Sequence, residues 1–236
     1  MVPAETDVLC EGCGYTLNGL PETGNCPECG RAIEPSLGAG RGLSRFEIRP
    51  SFKSFIETTL AVLFAPRAFY ETLATRVDTP QAAVFARWHR ALASAVLFFA
   101  VLSHTTTLGI GTNLQTNLPL LVVACLGAPL LIYLSLAVVT RLAGWLSSIE
   151  ARYWGMRLPH AIVRRGLCFH AACYVPVALL AAGIVWGYQV LVVTGAASEA
   201  SVTWYLYTLC AAVIVSAAYL FRMYWIAMKS MMYANR

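Results

Sequence analysis

The chain has 236 residues, is 58% hydrophobic and only 12% charged, carries a formal net charge of +5, and has a mean hydropathy of +0.62. A composition this apolar excludes an ordinary soluble domain and a disordered chain, and it places the protein in a lipid bilayer.

The first element is a pair of cysteine knuckles, Cys10-x-x-Cys13 and Cys26-x-x-Cys29, with Gly14 and Gly30 directly after them. In a knuckle the chain turns back so that backbone N–H groups point at metal-bound sulfur, and glycine tolerates the positive φ this requires. The pattern is that of a zinc ribbon over residues 1–34, with Cys10, Cys13, Cys26 and Cys29 as ligands of a structural zinc ion. Iron, a redox dithiol and a disulfide pair are the alternatives that the spacing leaves. Tyr15, Leu17 and Leu20 supply nearly all the apolar cover, so metal binding must provide most of the folding free energy. Four thiolates fill the coordination sphere and leave no position for an activated water, which argues against a catalytic metal. Thiolates holding zinc must stay reduced, so the ribbon is expected in the cytoplasm. No short basic region followed by an apolar run precedes it, and no cleavable signal peptide is expected.

Residues 35–50 include a glycine-rich run from Pro35 to Ser44 without periodicity and read as a flexible linker, which makes the ribbon a mobile appendage. Residues 51–90 read as interfacial, amphipathic helices. Phe52, Phe55, Ile56, Leu60, Leu63 and Phe64 recur at helical spacing over a stretch too short and too charged to span, with its aromatic stripe facing lipid or the other helices. Pro66 starts a second helix, with Phe69 and Leu73 on its apolar face, and Asp78-Thr79-Pro80 a third, with Thr79 as its cap. Residues 91–236 hold four apolar stretches long enough to cross a bilayer: Ala91 to Ile110, Leu118 to Thr140, Leu167 to Thr194 and Thr203 to Tyr224. Pro129 and Pro176 fall inside the second and third and are expected to bend them.

The connections 111–117 and 195–202 contain no lysine or arginine, so all 17 basic residues lie before the first span, between the second and third, or near the C-terminal end. Positive residues resist translocation and bind anionic inner-leaflet lipid, so both termini and the middle loop are expected inside, with Asn117 outside and Arg152 inside. Arg164 and Arg165 then fall at the inner headgroup level, paired with lipid phosphate. The net charge follows from sidedness. The ribbon itself, with Glu11, Glu22, Glu28 and Arg31, is acidic, so no nucleic-acid partner is expected.

Polar groups within the spans are few: His104 near Ser103 and Thr105, and His170 at the start of the third span. No span contains an aspartate or glutamate, which makes a carboxylate relay hard to build. Both histidines read as packing or interface positions. Cys125, Cys168, Cys173 and Cys210 read as small hydrophobes. No phosphate loop, HExxH or GxSxG motif occurs, and no catalytic residue is expected.

Two resemblances follow from particular residues. Cys10-Glu-Gly-Cys-Gly-Tyr-Thr-Leu-Asn-Gly-Leu20 with Cys26-Pro-Glu-Cys-Gly30 resembles the N-terminal zinc ribbons of many bacterial membrane proteins. Leu63-Phe-Ala-Pro-Arg-Ala-Phe-Tyr70 and Ala172-Cys-Tyr-Val-Pro176 are similar to elements of the Yip family, integral membrane proteins named for interacting with Rab-type GTPases. The second resemblance implies a helical membrane scaffold or organiser of membrane composition. Members of that family show five spans, which would make 52–69 a fifth membrane element.

The expected protein is an all-α membrane protein: a four-span helical bundle with a cytoplasmic interfacial helix and a small N-terminal zinc ribbon, integral to the cytoplasmic (inner) membrane. Its expected role is non-enzymatic, a scaffold whose ribbon binds a cytoplasmic protein, with membrane lipid as the surrounding partner and self-association left open. The alternative is a small transporter or channel, in which His104, His170, Ser135, Thr140 and Tyr174 converge on a cavity at the kinked second and third spans.

Overall fold

The computed structural model describes residues 7–37, 41–74, 77, 79–107, 118–153, 158 and 160–235. The expected outer connection 111–117, residues 38–40 of the expected linker and Asp78 at the expected start of the third helix lie outside the described residues. Within them the protein is helical, with isolated bridges in place of strands: Leu9 with Thr16, Asn25 with Ala32, and Gly42 with Leu73. The helices are α1 (Arg45–Ile48), α2 (Phe52–Phe64), α3 (Pro66–Thr72), α4 (Pro80–Thr107), α5 (Leu118–Tyr153), α6 (His160–His170), α7 (Tyr174–Val193) and α8 (Glu199–Met231). Four segments are long and apolar enough to cross a membrane: Pro80–Thr105, Cys125–Ala151, His160–Val193 and Ala200–Met231. Each is longer than its apolar stretch and continues into a charged or amphipathic end, because an α-helix propagates one hydrogen bond per residue whether or not the side chains are apolar.

The chain divides into two compact units, one formed by 1–86, 140–170 and 223–236, the other by 87–139 and 171–222. The first unit holds the ribbon, the short helices, the first turns of α4, all of α6 and the ends of α5 and α8. Of the 17 basic residues, only Arg87, Arg90 and Arg222 belong to the second, all at its edges.

In the first unit, Ser44 and Glu47 form a capping box that starts α1, and Ser51 with Ser54 does the same for α2. Five aromatic rings join the elements: Phe46, Phe55 and Phe85 lie 5.2 to 5.8 Å apart, Phe85 is 5.3 Å from Phe169, and Phe169 is 5.1 Å from Phe69. Around them α2 is inverted relative to a soluble helix. Ser54, Thr58 and Val62 face inward, with the Thr58 hydroxyl accepting from the Phe46 amide, while Phe52 and Phe64 are 82% and 80% exposed and Ile56 and Leu60 continue the outward stripe. Small polar groups inside and large apolar ones outside are what a helix lying on lipid requires.

Of the stretch 35–50, residues 35–37 and 41–50 are described, and they make specific contacts. Glu34–Leu37 is a 3₁₀ turn, Arg41 is buried, the Gly42 amide and carbonyl pair with Thr72 and Ala74, and α1 follows.

The second unit packs on small residues. Ala100 of α4 and Ala182 and Val185 of α7 are buried together, with Val96 and Leu209 against them, a close approach that alanine permits. Its polar side chains pair within the unit: His104 with the Tyr205 hydroxyl, Trp186 Nε1 with Ser103, and Tyr188 stacked on Tyr205 at 4.2 Å. Ser135 donates to the Leu131 carbonyl of its own helix.

Pro176 acts differently from an internal kink. A 3₁₀ turn at Ala171–Cys173 ends α6, and α7 begins at Tyr174, so Pro176 occupies the first turn of a new helix, where its missing N–H costs nothing. Pro129 stays inside the unbroken α5.

Candidate metal centre

The two knuckles fold by the same hydrogen bonds. In the first, the Cys10 amide donates to the Tyr15 carbonyl and the Gly14 amide to the Cys10 carbonyl; in the second, Cys26 donates to Arg31 and Gly30 to Cys26. Gly14 and Gly30 have φ of 80° and 71°, the left-handed conformation their place in the turns requires. Cys10, Leu17, Cys26 and Ile33 make a small core, with Val8, Cys13, Leu20 and Leu37 packed against it. Tyr15, expected as cover, is 41% exposed; Ile33 takes that place because the second hairpin turns it inward.

All four sulfur atoms lie within 4.8 Å of one another, so Cys10, Cys13, Cys26 and Cys29 could together hold one metal ion. Cys10 Sγ and Cys29 Sγ are 3.6 Å apart and Cys13 Sγ and Cys26 Sγ 3.7 Å. A tetrahedral ion bound to sulfur at roughly 2.3 Å requires sulfur pairs about 3.8 Å apart, so the donor set fits with little rearrangement. A disulfide needs about 2 Å, and all four thiols are free. Burial pushes the Cys13 thiol up to about 12, helped by the other three thiols. Burial acts against the Cys26 thiolate too, but the backbone N–H groups of Cys29 and Glu28, with the Cys13 and Cys10 thiols, outweigh it and bring Cys26 down to about 7. Cys26 is thus the thiol that gives up its proton most readily, and a cation that displaces the remaining protons would complete the site.

The ribbon is anchored, contrary to the mobile appendage that a glycine-rich run implies. Arg41, with a side chain 4% exposed, uses its whole guanidinium: Nε and Nη2 grip the Glu11 carboxylate, Nη1 donates to the Tyr70 and Leu73 carbonyls, and Nη2 reaches the Ser230 carbonyl. At the other end of the chain, the Asn235 side chain accepts from the Leu9 amide and donates to the Leu9 and Ser36 carbonyls, pairing with the ribbon as a strand would. A Cβ on Gly14 would lie 2.7 Å from the Tyr233 ring, so the C-terminal segment covers the first knuckle closely.

A second charged centre lies in the same unit. Arg165, expected at the headgroups with lipid phosphate, is instead buried with Glu47, 118 residues earlier; their side chains are 5% and 0% exposed and 2.9 Å apart. The Glu47 carboxylate also accepts from the Ser44 amide and the Thr79 hydroxyl, and Arg165 Nη1 also donates to the Val77 carbonyl. The Thr79 hydroxyl, expected to cap α4, is spent on this pair. Arg164, the preceding residue, is exposed. Sequence reasoning missed Arg41, Glu11, Asn235 and the Glu47–Arg165 pair. Only Ser44-x-x-Glu47, a capping-box pattern, was a local signal for any of them.

Four membrane-crossing helices, a lipid-suited α2 and a four-cysteine cluster define an integral membrane protein with an N-terminal segment whose cysteines could hold a metal ion. Compared with protein-family models, curated proteins and solved structures, the chain matches none of them.

Proposed function

We infer that the protein is a non-enzymatic scaffold of the cytoplasmic membrane, with a structural zinc ion in the Cys10, Cys13, Cys26, Cys29 site and the ribbon serving as a rigid docking face for a cytoplasmic protein. The observation that carries the reading is the anchoring of the ribbon to helix ends through Arg41 and Asn235. A four-thiolate site has no open position for chemistry, so its effect is to hold a shape, and that shape is held against the membrane helices. The exposed ribbon surface carries Glu22, Glu28 and Glu34, which suits a partner with basic groups. The likeness to Yip-family elements at 63–70 and 172–176 points the same way, toward an organiser of the membrane.

The orientation is supported by two features besides thiol chemistry. The charged end of α5, with Arg141, all of α6, with Arg164 and Arg165, and the end of α8, with Lys229, belong to one compact unit with the ribbon, and Asn235 joins the C-terminal end to Leu9. Labelling single cysteines from outside intact cells should modify one placed at Asn117 and spare one placed at Arg152; the reverse pattern would invert the topology.

For docking, cytoplasmic proteins crosslinked to the full-length protein are compared with those crosslinked to a Cys26→Ser, Cys29→Ser variant inserted at equal level. A specific adduct lost with the cysteines, and lost again on charge-reversal of Glu22 and Glu28, supports the reading; equal recovery removes it. The transporter alternative has less behind it, because His104 is engaged with Tyr205 and Ser135 with its own helix.

A further inference from the structure

Beyond the metal site, the first unit contains a cleft of about 990 Å³ whose walls come from the ribbon, α3 and the last turns of α8. Four cations line it, Arg31, Arg41, Arg67 and Lys229, against two carboxylates, Glu11 and Glu71. Arg41 is committed to Glu11, and Arg67 holds Glu71 in an exposed pair one helical turn apart, an interaction too weak to fix it. Arg31 and Lys229 are exposed, and neither makes an ion pair or side-chain hydrogen bond among the described residues. The Arg31 side chain lies over Gly12, which a Cβ would bring to 2.8 Å, so the glycine leaves room for the guanidinium beside the cleft.

We propose that this cleft binds the phosphate headgroup of an anionic phospholipid, with Arg31, Arg67 and Lys229 as the recognising cations. The volume is that of a small-molecule site, and the positive excess selects an anion. The wall made by α8 decides for lipid over a soluble phosphate compound. Trp225 lines the cleft half exposed and lies, with Lys229, at the end of a segment long and apolar enough to cross a membrane. There α8 buries Met223, Ala227 and Met228 on one face and leaves Phe221 and Trp225 exposed on another, so the cleft opens beside an apolar surface suited to acyl chains. A tryptophan one turn from a lysine at such a helix end marks the headgroup layer. Guanidinium groups hold phosphate oxygens by paired N–H donors, and the ammonium adds a point charge. The ribbon would then be held at the membrane by its own fold and by lipid as well. This proposal does not depend on a protein partner for the ribbon.

The test uses the full-length protein in neutral-detergent micelles, titrated with phosphatidylglycerol and, in parallel, with phosphatidylcholine. Arg31→Gln with Lys229→Gln is compared with Arg49→Gln, Lys53→Gln, which removes the same charge from an exposed region of the same unit outside the cleft. Retained metal content and an unchanged helical spectrum establish that each variant is folded. A basic group near an anionic lipid contributes about fivefold in affinity, so the first variant should bind phosphatidylglycerol about thirtyfold more weakly. The second should bind like the wild type, and phosphatidylcholine should bind poorly to all three. Undiminished binding by the Arg31, Lys229 variant, or an equal loss in both variants, overturns the site. Full displacement of phosphatidylglycerol by millimolar inorganic phosphate overturns the lipid assignment and leaves a soluble phosphate as ligand.

Discussion

Purified full-length protein is expected to carry close to one zinc ion per chain, and the Cys26→Ser, Cys29→Ser variant to carry none. Structural zinc in small cysteine domains contributes on the order of 10–16 kcal/mol at neutral pH. The ribbon has little else to fold on, since two of its four core residues, Cys10 and Cys26, belong to the proposed metal site, and Leu17 and Ile33 alone cannot replace the metal. The loss should therefore be cooperative and local. Amide exchange across 7–37 should become fast while the helices of the second unit stay protected, because that unit has its own core at Ala100, Ala182 and Val185. Lowering the pH should have the same effect without mutation: protons compete with the metal for thiolate sulfur, so zinc is retained at neutral pH and released as the pH falls. Elemental analysis with amide exchange reads both outcomes. Iron in place of zinc would reassign the ion and keep the site; a metal-free wild type with an ordered ribbon would refute it.

Replacing Glu47 by alanine should be among the most damaging single changes outside the ribbon, costing about 3–5 kcal/mol, the usual cost of leaving one half of a buried ion pair uncompensated. The stranded partner is Arg165, whose Nη1 and Nη2 both face the missing carboxylate. The change would also take the acceptor from the Ser44 amide, half of the capping box of α1, and a partner from Thr79, so the loss reaches beyond Arg165. Arg165→Met should cost a similar amount by leaving Glu47 buried. The Glu47→Leu, Arg165→Met double variant should recover most of the loss, because two apolar side chains of comparable volume need no compensation. Thermal unfolding of the wild type, Glu47→Leu, Arg165→Met and the double variant forms the cycle. Additive losses in the double variant would show that the two side chains act independently.

Lipid binding at the Arg31, Lys229 cleft and anchoring through Arg41 share one origin with the Glu47 pair: charges distant in sequence that meet only after folding. Arg41 lies in a glycine-rich run and Arg165 beside an arginine that is exposed, and neither has a periodic neighbour to reveal its partner. Local patterns were legible where the physics is local. Cysteine spacing, glycine after each knuckle, helical periodicity in α2 and long apolar runs are all set within a few residues of chain. The inward direction of Ser54 and Thr58 in α2 was not, because a polar hydroxyl and an apolar ring can each face inward depending on what lies opposite, and what lies opposite is Phe46.

The sequence by itself determined that this is an all-helical membrane protein with four crossing segments and a four-cysteine clip, since apolar length and thiol spacing are properties of contiguous chain. Only the tertiary structure decided that the clip is anchored and that Arg165 turns away from lipid. Those outcomes depend on Glu11 meeting Arg41, Asn235 meeting Leu9 and Glu47 meeting Arg165. A buried charge or backbone group takes whichever complementary partner the fold brings within reach, and sequence distance carries no information about that encounter.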